Sequence, residues 1–175
     1  MQVVALQWKW LFLYPDQHIA SLNELRIPAN TPVNFEITAD APMSAFWVPS
    51  LGSQIYAMSG MSSKLSLMAD KAGTYRGANS NINGKGYADM HFNVIALASR
   101  QDFNDWVSGI ADAESHKHLD SGVYEELAKP SEKNPVTYYH LHDTDLYTKI
   151  LNKYMASGTG GAAMHDDEHT HGGTE

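Results

Sequence analysis

Val33-Asn34-Phe35-Glu36-Ile37-Thr38 alternates strictly between apolar and polar side chains, the period of a strand with one buried and one wet face. Similar short runs rich in β-branched and aromatic residues recur up to about Leu97, separated by Pro, Gly, Asn and Asp. They predict strands over 2–13, 19–27, 32–39, 44–48, 63–69, 73–77 and 87–97, the pattern of an antiparallel sandwich. Pro28-Ala29-Asn30-Thr31-Pro32 supplies the turn before the strictly alternating run.

After Ser99 the period changes. Phe103, Trp106, Val107 and Ile110 fall at i, i+3, i+4 and i+7, and Ser99 with Asp102 forms a capping pair, so an amphipathic helix is expected over 100–113. A shorter helix is expected over 122–128, stopping before Pro130. A third starts near Asp143 or Thr144 and puts Tyr147, Ile150, Leu151 and Tyr154 on one face. From Ser157 the chain is Gly-rich, then acidic and His-containing, and disorder is expected to its end. The division is therefore a β domain over 1–98, a helical aromatic-rich extension over 99–156 and a tail over 157–175.

Composition narrows the chemistry. At 175 residues and 43% hydrophobic, the chain can bury one sizeable core. With no cysteine it has no disulfide, no thiolate metal ligand and no thiol nucleophile. The apolar run at Leu11-Phe12-Leu13 ends at Tyr14-Pro15-Asp16, far short of the ~20 residues of a membrane helix, and no signal peptide is recognisable. The chain is thus expected to be soluble as it stands. Its net charge of −8 is uneven, with six acidic and six basic side chains before Ser99 and all the excess after it. A neutral first half followed by an acidic second half excludes nucleic acid as a natural ligand.

Three separated motifs carry more information than any one of them: Gln7-Trp8-Lys9-Trp10 followed by Tyr14-Pro15-Asp16; Ala45-Phe46-Trp47-Val48-Pro49-Ser50-Leu51-Gly52; and Gly73-Thr74-Tyr75-Arg76-Gly77 running on to Met90. In that order and spacing, over roughly residues 1–98, the chain resembles the extramembrane domain of subunit II of haem-copper oxidases. The resemblance implies a mainly β, cupredoxin-like Greek-key sandwich or barrel with a C-terminal helical extension.

In copper-bearing members of that family, two cysteines, two histidines, a methionine and a glutamate carbonyl hold two copper ions. Carried onto this chain, the ligand positions fall on Ser44, Asn79, Asn81, Asn83, Tyr87 and Met90, so the methionine is the one side-chain ligand that survives. Amides, an alcohol and a phenol are hard or weak donors for copper, and a lone thioether does not hold it. No metal, cofactor or catalytic residue is therefore expected in this chain, and Met90 is expected to pack. His91, its neighbour, is expected on the opposite face.

This pattern of loss resembles the ubiquinol oxidase branch, the cytochrome bo type. Tyr56 stands where the cytochrome c-using branch carries an acidic docking residue, so no cytochrome c dock is expected. The aromatics after Leu97 resemble the aromatic-rich extension of the quinol branch. The resemblance further implies two membrane helices ahead of residue 1, a place on the periplasmic face of the cytoplasmic membrane, and subunit I as the partner that carries the haems and copper. Trp8 and Trp10 are expected to pack under the sandwich and against that partner, and Trp47 joins them as an interface aromatic. The rivals are a copper-binding electron-transfer subunit II of a cytochrome c oxidase and a stand-alone cupredoxin-like binding module.

The histidines offer little by spacing. His116 and His118 do not share a helix face, and His140 and His142 share one on a strand alone. They are expected to scatter into solvated or partner-facing roles, while His165, His169 and His171 form a tail set able to bind Cu²⁺ or Ni²⁺ weakly. No G-x-S-x-G elbow, H-E-x-x-H helix or phosphate-cradling loop is present.

Overall fold

The structure is a computed structural model and describes residues 1–159. In chain order it forms β1 (Gln2–Leu6), β2 (Lys9–Tyr14), β3 (Ile19–Leu22), β4 (Glu24–Pro28), β5 (Val33–Ala39) and β6 (Ser44–Trp47). There follow β7 (Ile55–Ala57), β8 (Ser63–Leu67), β9 (Gly73–Asn79) and β10 (His91–Leu97). The remainder comprises α1 (Arg100–Ala111), β11 (Lys117–His118), α2 (Ser121–Ala128), β12 (Thr137–His140) and α3 (Leu146–Met155). One sheet runs β11-β12-β3-β2-β1-β5-β8 and the other β4-β10-β9-β6-β7. Most neighbours are antiparallel, while β1 with β5, β10 with β4 and β11 with β12 are parallel.

The centre of the seven-stranded sheet, β1 to β3, is buried on both faces. Val3, Ala5, Trp10, Phe12 and Tyr14 point into the core between the sheets. Val4, Leu6, Leu11 and Leu13 point the other way, into a second core roofed by Tyr124 of α2 and Leu146, Tyr147 and Ile150 of α3. A strand buried on both sides reads as a continuous apolar run, which explains why 2–13, expected as one strand, is a hairpin whose Leu6 and Lys9 pair across the turn. Burying one such Leu or Phe side chain contributes ~1.5–3 kcal/mol.

The expected strand 19–27 is likewise two. Asn23, at φ 58°, adopts the left-handed conformation that asparagine tolerates and passes the chain from one sheet to the other. Its side chain ties the break to two other segments, accepting from Trp10 N at 2.9 Å and donating to Asn134 O at 3.0 Å. β7, β11 and β12 went unread in the sequence, and 87–97 shortens to β10 after a 3₁₀ turn at Tyr87–Asp89. The burial of β5 alternates from Val33 to Glu36 as expected.

α1 starts as its sequence predicts, with Ser99 Oγ accepting from Asp102 N at 3.1 Å. Phe103 and Ile110 enter the first core and close its open end. α2 is capped by Asp120, which accepts from Val123 N at 2.9 Å, and it ends before Pro130. The segment after Ser99 also extends the sandwich, because β12 pairs with β3 in the larger sheet. The start of the expected disordered tail continues α3 as a 3₁₀ turn at Ala156–Thr159. The rest of the tail, with His165, His169 and His171, lies outside the described residues.

Candidate functional site

Four of the six family ligand positions meet at one end of the smaller sheet. Ser44 opens β6 and Asn79 closes β9, both buried, and Met90, 1% exposed, lies just before β10. Asn83 comes in from the connecting loop. Its Nδ2 donates to Ser44 Oγ at 2.7 Å and points at Met90 Sδ at 3.9 Å. Asn79 Nδ2 donates to the same sulfur at 3.5 Å, and its Oδ1 accepts from Ala45 N at 2.9 Å and Asn81 N at 3.0 Å. Asn81 turns its own amide away to Met43 O at 2.9 Å, and half-buried Tyr87 begins the 3₁₀ turn.

The two tryptophans of the first motif hold the loop from beneath. Trp8 Nε1 donates to Asn83 O at 3.3 Å and Trp10 Nε1 to Met90 O at 3.2 Å. Trp8 also lies flat against Gly84 and Gly86; a Cβ on Gly86 would stand 2.6 Å from the indole. Trp10 corrects an expectation, because it is fully buried against Phe46 and Phe92, at ring distances of 5.5 and 5.7 Å, and so offers no surface to a partner. Trp47 keeps 37% of its surface exposed and Tyr56 48%. Met90 fills the core as expected and in addition accepts amide hydrogens on its sulfur.

Chemically this is a closed neutral network. Hydroxyl, amides and thioether engage one another, and Asn83 Oδ1 is left buried without a partner. The copper pair implied by the fold family does not fit here, since neither thiolate nor imidazole is present and the single sulfur is occupied by amide hydrogens.

Two buried charges were not visible in the sequence. Lys9, 1% exposed, donates from Nζ to Lys129 O at 2.7 Å and Ser131 Oγ at 2.6 Å, and burial pushes its ammonium down to about 8. Asp40 accepts from Tyr124, Lys153 and Tyr154. Burial pushes its carboxyl up, but those three donors together outweigh burial and hold it below the usual carboxylate range.

His116, His118, His140 and His142 do not scatter. β11 and β12 pair with His118 opposite His140, and ring centroids run His116 to His140 at 6.1 Å, His140 to His118 at 5.1 Å and His118 to His142 at 4.6 Å. Only the pairing of two distant strands creates this row, so no local spacing could have revealed it.

A two-sheet cupredoxin-like sandwich with a degenerate ligand loop and an aromatic brace defines the class: the periplasmic domain of an oxidase subunit II. The family described as cytochrome c oxidase subunit II, periplasmic domain, matches residues 17–97, and that described as COX aromatic rich motif matches 114–158. The periplasmic domain of cytochrome oxidase subunit II (CoxB) from Bradyrhizobium japonicum superposes with a TM-score of 0.58 at 25% identity, covering 62% of this chain and 89% of that one.

Cytochrome bo(3) ubiquinol oxidase subunit 2 of Pseudomonas putida is 48% identical over 160 residues, 91% of this chain and 50% of its own length. The corresponding protein of Pseudomonas aeruginosa is 45% identical over 175 residues, all of this chain and 51% of its own length. Ubiquinol oxidase subunit 2 of Acetobacter aceti is 47% identical over 154 residues, 88% of this chain and 49% of its own. The chain belongs to the haem-copper oxidase subunit II family, in its ubiquinol oxidase branch, and spans about half the length of these curated relatives. Among the described residues no helix is long and apolar enough to cross a membrane.

Proposed function

We propose that this chain is the extramembrane part of subunit II of a proton-pumping ubiquinol oxidase, a redox-inactive domain that caps the catalytic subunit on the periplasmic face. The observation that carries the reading is the mutual hydrogen bonding of Ser44, Asn79, Asn83 and Met90, which spends the donors of the old ligand loop on one another while leaving the fold intact. Residues 1–98 act as the cupredoxin-like unit and 99–156 as an extension that braces it. Ubiquinol oxidation and oxygen reduction belong to the complex, with haem and copper in subunit I and two membrane helices of this subunit preceding residue 1. Exposed Trp47, Tyr56 and Ile82 give the face near the loop an apolar character suited to a subunit contact rather than to a basic cytochrome.

Copper titration of the purified chain followed by visible absorption, beside a Met90→Leu variant, tests the assignment. The expected result is no intense charge-transfer band and identical titrations for the two proteins. Bound copper with a strong band that Met90→Leu removes would overturn it.

A further inference from the structure

Tyr138, His140 and His142 alternate along one side of β12 and its exit, while Tyr139 and Leu141 turn inward to the second core. The row of imidazoles is therefore held by a rigid sheet edge, and its members are exposed or half-buried. Among the described residues none of the four is ion-paired.

The bonding of His140 fixes which of its nitrogens is available. Nε2 lies 3.0 Å from the Ala113 carbonyl, and a carbonyl oxygen can only accept, so Nε2 carries the hydrogen and Nδ1 keeps its lone pair. An imidazole whose N–H is held by a backbone carbonyl is oriented in the way metal-binding histidines are. The same carbonyl accepts from His116 N at 3.2 Å, which ties the turn ahead of β11 to the row.

Two of the ring separations are of the size a shared ion needs. With metal–nitrogen bonds of about 2.0–2.1 Å, two imidazoles at adjacent positions on one ion have ring centres roughly 4.5–5.5 Å apart. His118 stands at 5.1 Å from His140 and 4.6 Å from His142, inside that range, whereas His116 at 6.1 Å from His140 falls outside it.

We propose that His118, His140 and His142 form a surface site for a divalent d-block cation, Zn²⁺ or Cu²⁺, with His118 at its centre. Among the described residues no group of three or more His, Cys, Asp or Glu side chains is placed to hold a metal ion, so the site forms only by side-chain rotation. The exposed His118 and His142 complete the site by rotating toward the fixed His140. Imidazole ligands select zinc or copper over calcium or magnesium, which prefer oxygen. The ion would clamp the two-residue β11 onto β12 and so fasten the 112–120 segment to the sheet. This site is separate from the ligand loop of the copper-bearing relatives and uses none of its residues.

Zinc calorimetry at neutral pH tests it on the full chain carrying H165A, H169A and H171A, which removes the tail imidazoles. That background is expected to bind one Zn²⁺, and adding His118→Ala or His142→Ala is expected to abolish the binding while amide spectra away from the row stay unchanged. In the same background, substoichiometric Cu²⁺ is expected to broaden the imidazole resonances of His118, His140 and His142 and to spare His91. Zinc binding that survives both substitutions, that is absent once the tail histidines are gone, or broadening centred on His91 overturns the proposal.

Discussion

The carboxylate of Asp40 accepts a 2.7 Å hydrogen bond from the phenol of Tyr124, 84 residues further along the chain. Asp40 follows β5 of the sandwich and Tyr124 lies on α2 of the extension, so the bond joins the two parts across the second core. Lys153 at 2.9 Å and Tyr154, both on α3, bind the same carboxylate. Removing it strands two hydroxyls, so Asp40→Ala is expected to cost ~2–4 kcal/mol. Lys153 is 59% exposed and resolvates easily, so Lys153→Met is expected to cost less than about 1 kcal/mol. Urea unfolding of the two variants gives the comparison, and equal losses would mean that the ion pair, not the tyrosines, anchors α3.

The same carboxylate sets an acid limit. Its folded-state pKa lies below the ordinary 3.8, so the folded form holds its proton less tightly than the unfolded chain does. That stabilisation is present above about pH 4 and is lost as pH falls through the lower folded value. Asp40→Asn is expected to flatten the stability profile below pH 4, measured by urea midpoints, while leaving its slope between pH 5 and 7 as in the parent.

Local pattern was enough where one face of an element is wet. β5 shows its alternation and α1 shows both its stripe and its Ser99 cap, because each has a polar side. The same reasoning fails for β1 and β2, whose two faces are both dry, and for the turn between them, Gln7-Trp8, which has neither glycine nor proline to mark it. Asn23 carries a local signal, a turn-tolerant residue between two apolar runs. The ligand loop was legible residue by residue through its family resemblance, yet its hydrogen bonds were not. Asp40 with Tyr124 and the His118–His140 pair arise from chain segments that meet only after folding, beyond the reach of any periodicity.

Lys9 predicts a rise of stability with pH like that of Asp40, but in the alkaline range. Its pKa falls from 10.5 to about 8 on burial, so between those values the unfolded chain binds more protons and stability rises with pH. The gain from pH 8 to 10 is at most about 2 kcal/mol. Lys9→Met keeps the alkyl stem and removes the charge, so it is expected to abolish the rise. Unfolding curves at pH 8, 9 and 10 for both proteins check this; a parallel rise in the variant would assign it to another group. Tyr14, Tyr124, Tyr138, Tyr139, Tyr147 and Tyr154, whose phenols burial holds above the ordinary 10.0, oppose the trend as pH nears 10 in both proteins alike, so the Lys9 contribution is read as the difference between parent and variant.

Gly77 packs flat beneath Phe92, and a Cβ there would stand 2.2 Å from the ring. The ring cannot retreat, because it is stacked on Phe46 at 5.4 Å and flanked by Phe12 at 5.1 Å and Trp10 at 5.7 Å. Gly77→Ala therefore forces β9 away from the aromatic cluster, at an expected ~1–3 kcal/mol or more. Shortening the obstacle relieves the clash: in Gly77→Ala with Phe92→Leu the combined loss is expected to be smaller than the sum of the single losses, a coupling of about 1 kcal/mol. A double-mutant cycle from urea unfolding measures it. Simple additivity would show that β9 yields without touching the ring, and the glycine of the Gly73–Gly77 motif would then need an explanation other than close packing on Phe92.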